Sequence, residues 1–410
     1  MSEENTLEPT IPRSCNMSKA TLPIRITHVI DGHVHPSFCK TQSGDLLAVY
    51  NIEGGGGKEM LLCRSTDGGF NWTAPEPITA ICNCSIYPGS LTVLADGRIL
   101  LNWACYRDTQ DTLWREPQFS LSDDEGRTWS TPHSYPIANR SNHACIRHAL
   151  IEWSANEWLC PFYDRTVLYN TATGTLTPFS DGRNHGMVPI VRTAEGTLIS
   201  GAPQAEAPVP VGQPGNMVGG LRSTDDGNTW TALGVFPHFG VAGYDLTLLT
   251  NDWVVLTYIV YGVGVDGEFS YEMVISRDDG RTWDFEYPSE IYNPGRRIGG
   301  RGWPRTIQID NETLATLFYD LSPEQTEGPG LYVVRTHLPQ NHQNAQDTAA
   351  LNTLNHPLAR GPKKRLGTIS TPPTPSASRS TPQTANSLGS SKNSKCPPIA
   401  LKAKTVIRCL

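Results

Sequence analysis

Three histidines that can exchange protons near neutral pH stand just before β-rich runs of the sequence. They are His35, His143 and His185. An imidazole titrates close to pH 7, so these side chains are candidates for general acid–base catalysis. A metal site built from the same three histidines is the alternative. The sequence favours acid–base chemistry, because His33 and His35 alternate across a strand and cannot both face one ion, and we predict no cofactor.

A second group of residues offers a nucleophile, acids and anion contacts. Tyr244 precedes Asp245, and this pair is a candidate nucleophile or base. Candidate acids are Glu206, Asp164 and Asp108. Guanidinium groups suited to an acidic ligand belong to Arg107, Arg296, Arg297, Arg301 and Arg305, of which Arg301 is the best placed. Trp303 and Tyr87 offer aromatic faces on which a sugar can stack.

The elements that must position these residues are set by an internal repeat. Four segments fit Ser-x-Asp-x-Gly-x-(Thr/Asn)-Trp, and we call them the repeat turns: 65–72, 122–129, 223–230 and 276–283. The pattern predicts a tight hairpin in which Gly has a positive φ, Ser and Asp accept backbone N–H groups, and Trp packs between sheets. Their spacings of 57, 101 and 53 residues indicate units of about 50 residues, one of which lacks the pattern.

A second set of turns accompanies the repeat turns. We call them the inner turns, and each joins two β-rich runs: 43–45, 95–97, 154–156, 194–196, 250–252 and 310–312. The third unit replaces its repeat turn with 170–174, between runs at 166–169 and 175–178. The sixth unit has a third run at 331–336 but no fourth. The unpaired run 23–29 can supply that missing strand.

These units predict an all-β fold, a six-bladed β-propeller of four-stranded antiparallel blades closed by the N-terminal strand. We expect a flexible N-terminus over 1–21, the propeller over 22–338, and a disordered basic tail rich in Ser, Thr and Pro over 339–410. Because strands in a blade alternate in direction, both kinds of turn lie on one face. The candidate chemical residues, at the starts of first strands and the ends of second strands, therefore gather on the opposite face, near the axis.

The repeat turns are similar to the Asp box, or BNR repeat, and the layout over 22–338 resembles the sialidase superfamily of six-bladed propellers. This resemblance implies a glycosidase that holds a sugar carboxylate with three Arg, and that uses a Tyr nucleophile activated by Glu and an Asp acid/base. The sequence departs from that set at two places. Val34 stands where the first Arg is expected, and Trp303 stands where the Tyr is expected.

The distribution of charged residues limits the kinds of partner that the protein can be expected to bind. Residues 340–410 carry ten Lys or Arg and one acidic residue, which leaves 23 basic and 39 acidic residues in the body. An acidic body disfavours nucleic acid as a partner. We find no membrane-spanning run and no signal peptide, so we expect a cytoplasmic protein without membrane insertion. The ten scattered Cys are expected to be reduced and mostly buried.

Three functions remain open from the sequence. The leading hypothesis is a sialidase-superfamily enzyme that cleaves a glycosidic bond of an acidic or polar sugar with an altered catalytic set. The alternatives are a propeller polysaccharide lyase that uses His or Tyr with Arg, and a non-enzymatic propeller that binds carbohydrate or protein. The sequence leaves the oligomeric state undetermined.

Overall fold

In the computed structural model of the chain, the residues described are 20–29, 33–53, 59–80, 85–109, 112–137, 146–162, 165–179, 189–202, 219–235, 244–263, 268–285, 288–295, 303–322 and 327–338. Every named element within these ranges is a β-strand. The same ranges contain no helix long and apolar enough to cross a membrane. The predicted tail over 339–410 lies outside them, as does nearly all of the predicted flexible N-terminus.

The first half of the propeller contains three four-stranded meanders. The chain opens with β1 (Ile24–His28) and β2 (His33–Val34). Blade one is β3 (Ser37–Lys40), β4 (Leu46–Tyr50), β6 (Glu59–Ser65) and β7 (Glu76–Ala80), and β5 (Ile52–Glu53) pairs with β2 in a small separate sheet. Blade two is β8 (Ser85–Val93), β9 (Ile99–Thr109), β10 (Thr112–Ser122) and β11 (His133–Ser134). Blade three is β12 (Ile151–Ser154), β13 (Glu157–Pro161), β14 (Thr166–Asn170) and β15 (Thr175–Pro178).

The second half repeats this arrangement and closes the ring. Blade four is β16 (Ile190–Arg192), β17 (Leu198–Ala202), β18 (Gly219–Ser223) and β19 (Thr231–Val235). Blade five is β20 (Tyr244–Leu248), β21 (Val254–Val263), β22 (Glu268–Ser276) and β23 (Ser289–Tyr292). Blade six is β24 (Arg305–Gln308), β25 (Thr313–Asp320) and β26 (Gly330–His337), with β1 as its outer strand. The predicted closure is confirmed, since Ile24 pairs with Val333 and His28 with Gly330.

Apolar side chains fill the seams between neighbouring blades. The structure shows six buried clusters, one for each seam of the described propeller. The cluster between blades six and one joins Leu46 and Ala48 of β4 to Leu317 and Tyr319 of β25. Because both faces of a blade are covered in this way, the second strands β4 and β25 are buried along their whole length. Cys39, Cys63, Cys105 and Cys160 are buried free thiols, as predicted.

The four repeat turns have the predicted geometry. In the turn that joins β10 to β11, the Gly126 N–H donates to Ser122 Oγ at 2.7 Å. The Thr128 N–H and hydroxyl donate to the two carboxylate oxygens of Asp124 at 2.7 and 2.6 Å. The other three turns repeat these bonds, and all four glycines have a positive φ. The hydrogen bonds from Thr128, side chain first and then backbone, lower the pKa of Asp124 to about 2.

Arginines on third strands fasten three of these turns to the blade before them. Each guanidinium donates to a backbone carbonyl in the next blade's turn: Arg64 to Glu125 at 2.7 Å, Arg222 to Asp279 at 2.8 Å, and Arg335 to Gly68 at 2.9 Å. The Asp279 carboxylate also accepts from Thr193 and Thr197 at 2.7 Å each. The repeat turns therefore hold both their own hairpin and the neighbouring blade.

Candidate functional site

A buried polar cluster lies at the axis, where the first strands of blades five and six begin. Asp245 is the second residue of β20, and Arg305 is the first residue of β24. The Asp245 carboxylate accepts the Thr306 N–H at 2.9 Å, and its other oxygen lies 3.5 Å from Arg305 Nη1. Both residues are only 7% exposed. Alternation along β20 turns Tyr244 toward blade four and Asp245 toward blade six, where Asp245 meets Arg305.

Two residues that precede β12 of blade three complete the charged part of this cluster. His148 Nδ1 lies 3.6 Å from Asp245 Oδ1. The carbonyl of Arg147 accepts a hydrogen bond from Arg305 Nη2. Arg147 and His148 are 5% and 2% exposed. Since blades three and six are three positions apart in a ring of six, these contacts cross the axis.

An aromatic contact adjoins the charged groups. Trp303 precedes β24, and its ring stacks with the His35 ring at a centroid distance of 5.8 Å and an interplanar angle of 27°. The Arg147 guanidinium lies 4.7 Å from the centroid of the same ring. In such a cation–π contact the positive charge of the guanidinium is attracted to the face of the aromatic ring. We call these six residues the axial cluster: His35, Arg147, His148, Asp245, Trp303 and Arg305.

Burial decides the electrostatics of Arg305. Removal of the guanidinium from water lowers its pKa from the ordinary value, the Asp245 carboxylate opposes that effect, and the Arg147 charge adds to it. A guanidinium stays protonated even so, because its ordinary pKa is far above neutrality. The cluster therefore brings two buried positive charges together with the carboxylate of Asp245.

Tyr244 is turned away from the axial cluster. Its hydroxyl donates to the Gly201 carbonyl at 3.0 Å, and its ring packs in the seam between blades four and five. A Cβ at Gly201 would lie 2.2 Å from the ring, so this packing depends on the glycine. Burial raises the pKa of the phenol well above its usual range. These observations favour a structural role for Tyr244 over the predicted role as nucleophile or base.

Several predicted site residues lie outside the described residues. These are His143, Asp164, His185, Glu206, Arg296, Arg297 and Arg301, and their assignment stays a prediction, as does that of Asp108, of which only the backbone is described. Tyr87 and Arg107 are described only in their backbone. Both were expected at strand ends, but Tyr87 is the third residue of β8, and Arg107 lies within β9, where it pairs with Trp114. The strands β8, β9 and β10 run further toward this face than the sequence indicated.

Sequence reasoning missed Arg147 and His148. It placed the start of blade three at Asn142 and His143, whereas β12 begins at Ile151 and is preceded by an isolated bridge between Ile146 and Phe162. These two residues could have been found from their short separation in sequence from the apolar run that forms β12. Two basic residues directly before an apolar run are closer to the axis than two polar residues several positions earlier.

A cavity runs along the axis beside the cluster. Its volume is 840 Å³, and the first strands of the blades supply most of its lining. Asp245, Arg305 and His148 line it. Three exposed residues also line it: Gln42, which precedes the first inner turn, and Thr250 and Asn311, which belong to the fifth and sixth. No group of three or more His, Cys, Asp or Glu that would suit a metal ion occurs among the residues that the structure describes.

Comparison with known proteins identifies the fold. No protein-family model matches the chain, and no curated protein matches its sequence. A protein of unknown function from Dyadobacter fermentans is 17% identical with a TM-score of 0.59, over 78% of this chain and 98% of that one. The NanB sialidase of Streptococcus pneumoniae is 11% identical with a TM-score of 0.52, over 80% and 71%. An α-L-arabinanase from Penicillium chrysogenum is 14% identical with a TM-score of 0.52, over 78% and 98%. In fold, the chain is a sialidase-like six-bladed β-propeller.

Proposed function

We propose that this chain is a glycosidase of the sialidase-like propeller type that cleaves a glycosidic bond of an acidic or otherwise polar sugar. The observation that carries the proposal is the pairing of Asp245 with His148 beside the buried guanidiniums of Arg147 and Arg305. The structurally similar sialidase and arabinanase support the general class, since each is named for the cleavage of a carbohydrate. Fold alone does not fix the sugar.

The proposal assigns proton transfer to the Asp245–His148 pair. The Asp245 carboxylate lies 3.6 Å from His148 Nδ1, so an acceptor stands directly beside the ring that is proposed to transfer the proton. In this step His148 would give its proton to the departing glycosidic oxygen as the glycosidic C–O bond breaks, and the proton lost by the water that adds to the sugar carbon would return to the imidazole. Asp245 is held for this task by the Thr306 N–H and Arg305, which leave it little freedom to rotate.

We assign to Arg147 the role of binding the acidic or most polar group of the sugar. Arg305 supports it, because the Arg305 guanidinium is already engaged with Asp245 and with the carbonyls of Pro304 and Arg147. Trp303 stands where the resemblance leads us to expect a nucleophilic tyrosine, and Tyr244 is committed to Gly201. We therefore assign no described residue as a nucleophile.

A lyase is the second candidate, favoured by the same adjacency of an imidazole and two guanidiniums. In that reaction His148 would remove the proton α to a uronate carboxylate, and an Arg would neutralise the carboxylate. The two reactions differ in their products. Hydrolysis adds the elements of water, and elimination leaves an unsaturated uronate that absorbs ultraviolet light.

The test is a substrate panel with the full chain and two variants. Sialyl and arabinosyl fluorogenic glycosides and uronate oligosaccharides are incubated with wild type, Asp245→Asn and Asp96→Asn, and the products are weighed by mass spectrometry. We expect a product with added water, lost in Asp245→Asn and kept in Asp96→Asn, which alters an exposed turn. Glycan binding without turnover by the wild type would instead support a carbohydrate-binding propeller and would refute the enzyme proposal.

A further inference from the structure

The second strands of blades two and five are longer than those of the other blades. Counted from the inner turn, this strand has 11 residues in blade two and 10 in blade five, against 5 in each of blades one, three and four. The third strands match them, since β9 and β10 stay paired from Ile99 to Thr109, and β21 and β22 from Val254 to Val263. Both pairs therefore continue as hairpins beyond the strands of those three blades.

These two hairpins project on the face of the axial cluster. Second strands run from the inner turns toward that face, so their extra residues extend above it. Asp245 pairs with Thr257 of β21, and β21 continues from there to Val263, which is a rise of about 20 Å at the usual spacing of a strand. Blades two and five are three positions apart in a ring of six, so the hairpins stand on opposite sides of the axis. We call them the projecting hairpins: 106–115 and 260–270.

Two of the blades between the projecting hairpins are lower. In blade three, Pro161 of β13 pairs with Thr166 of β14, so four residues connect these strands. A connection of that length can rise about 7 Å at most before it must return. In blade one the chain leaves β4 after Tyr50 and forms β5, which pairs with β2 instead of extending the blade. The projecting hairpins therefore border a groove that crosses the axis from the side of blade three to the side of blade one.

The axial cluster lies at the axis, between the two projecting hairpins. Arg147 and His148 directly precede blade three, on one side of the groove. His35 lies between β2 and β3, on the side of blade one, where its ring stacks with Trp303. Arg107, which the sequence assigned to an acidic ligand, belongs to β9 within the first projecting hairpin. The groove therefore continues on both sides of the groups to which we assign bond cleavage.

We propose that this groove binds an oligosaccharide chain of several units, which continues past the axial cluster on both sides. The inference rests on the proposed function, because it takes a glycan as the ligand. A single terminal sugar is best held in a pocket that encloses it. A groove with a wall on each side holds a chain instead, and the bond at the axial cluster is then an internal bond of that chain.

The first measurement is the affinity of the full chain for oligosaccharides of increasing length, by isothermal titration calorimetry. The probes are oligogalacturonides, α2,8-linked oligosialic acids and α1,5-linked arabino-oligosaccharides of one to six units. We expect the dissociation constant to fall at least about tenfold with length in one of these series, because each further sugar adds contacts in the groove. Equal affinity for short and long members of every series, or binding by none of them, would overturn the proposal.

The second measurement repeats this titration with each projecting hairpin shortened. One variant lacks 106–109 and 112–115, which removes four directly paired positions of β9 and β10. The other lacks 260–263 and 268–270, which removes the paired ends of β21 and β22. Each should lose the dependence of affinity on length and should bind the shortest effective oligosaccharide within about twofold of wild type, because the axial cluster is left in place.

Phe70→Ala is the matched control, since it alters an exposed side chain in a repeat turn on the opposite face. It should keep the full dependence on length. Circular dichroism and thermal unfolding show which shortened variants are folded, and the wild-type length series tests the proposal without either of them. A dependence on length that survives in both shortened variants would overturn the proposal.

Product analysis separates this inference from the proposed function. Wild type acting on a hexasaccharide of the series that binds should release products of two to four units before single sugars. Release of single sugars alone, with added water, would support the glycosidase and overturn the groove. Length-dependent binding without any turnover would support the groove and refute the glycosidase.

Discussion

The two faces of this propeller are built on different principles. On one face the repeat turns use the same residues and the same hydrogen bonds four times, and each is tied to its own hairpin. On the other face the axial cluster combines different residue types from blades one, three, five and six, and its contacts cross the axis. The repeated residues therefore hold the blades together, and the residues that do not repeat form the site where chemistry can occur. Variants on the two faces should separate stability from activity.

The largest expected effect is on activity at the axial cluster. His148→Gln removes the proposed proton donor, so turnover on the substrate found in the panel should fall about 10²–10⁴-fold. His337→Gln, at an exposed position at the end of β26, should leave turnover unchanged. The pH–rate profile separates catalysis from folding, since loss of the proton donor removes one limb of the profile. An unchanged profile in His148→Gln would remove His148 from the mechanism.

The next effect is on stability at the opposite face. Gly280 has a φ of +76°, and a Cβ there would lie 2.5 Å from Ile199 Cδ1 of the neighbouring blade. Gly280→Ala should therefore lower the free energy of unfolding by about 2–4 kcal/mol through backbone strain and overpacking. Gly196 has a φ of +85° but no neighbouring atom within 4 Å. Gly196→Ala should cost about 1 kcal/mol, and equal losses in urea unfolding would show that the interblade contact contributes nothing.

A smaller loss is expected when one repeat turn loses its carboxylate. Asp124→Ala removes the acceptor for the Thr128 N–H and hydroxyl. Exposed hydrogen bonds of this kind contribute modestly, so we expect a loss of about 1–2 kcal/mol in urea unfolding. Turnover should stay at the wild-type value. A turnover loss comparable to that of His148→Gln would contradict the separation of the two faces.

The smallest expected effect is a loss of folding stability at low pH. The pKa values of Asp67 and Asp124 are lowered from an ordinary value near 3.8 to about 2, chiefly by hydrogen bonds from Asn71 and Thr128. A lowered folded-state pKa contributes stability above the unfolded pKa and loses it as pH falls through the folded one. The urea midpoint should therefore decline between about pH 4 and pH 2. Asp124→Asn should show a shallower decline, and an identical slope would show that this carboxylate is not linked to folding.

The fold was predictable because its signals repeat. Four copies of one turn and six inner turns fixed the blades, and the unpaired run before blade one identified the closing strand. The site was predictable only in part. Asp245, His35 and Trp303 lie at the axial cluster as expected, because they directly precede or begin a first strand. Arg147 and His148 were missed because blade three carries no repeat turn, so the start of its first strand had no internal reference.

Ring closure also has a consequence for the order in which the protein can assemble. β1 is synthesised first, but its partner β26 is the last strand of the propeller to leave the ribosome. Contacts this distant in sequence slow folding, because the whole ring must form before they are made. Until then β1 and the edge of β26 expose unpaired backbone groups that can join other chains. We therefore expect aggregation during expression to depend on how quickly blade six finds β1. A circular permutant of residues 20–338 that is opened within 170–174, with a short linker from 338 to 20, should be less prone to aggregation because β1 would then follow β26 closely in sequence.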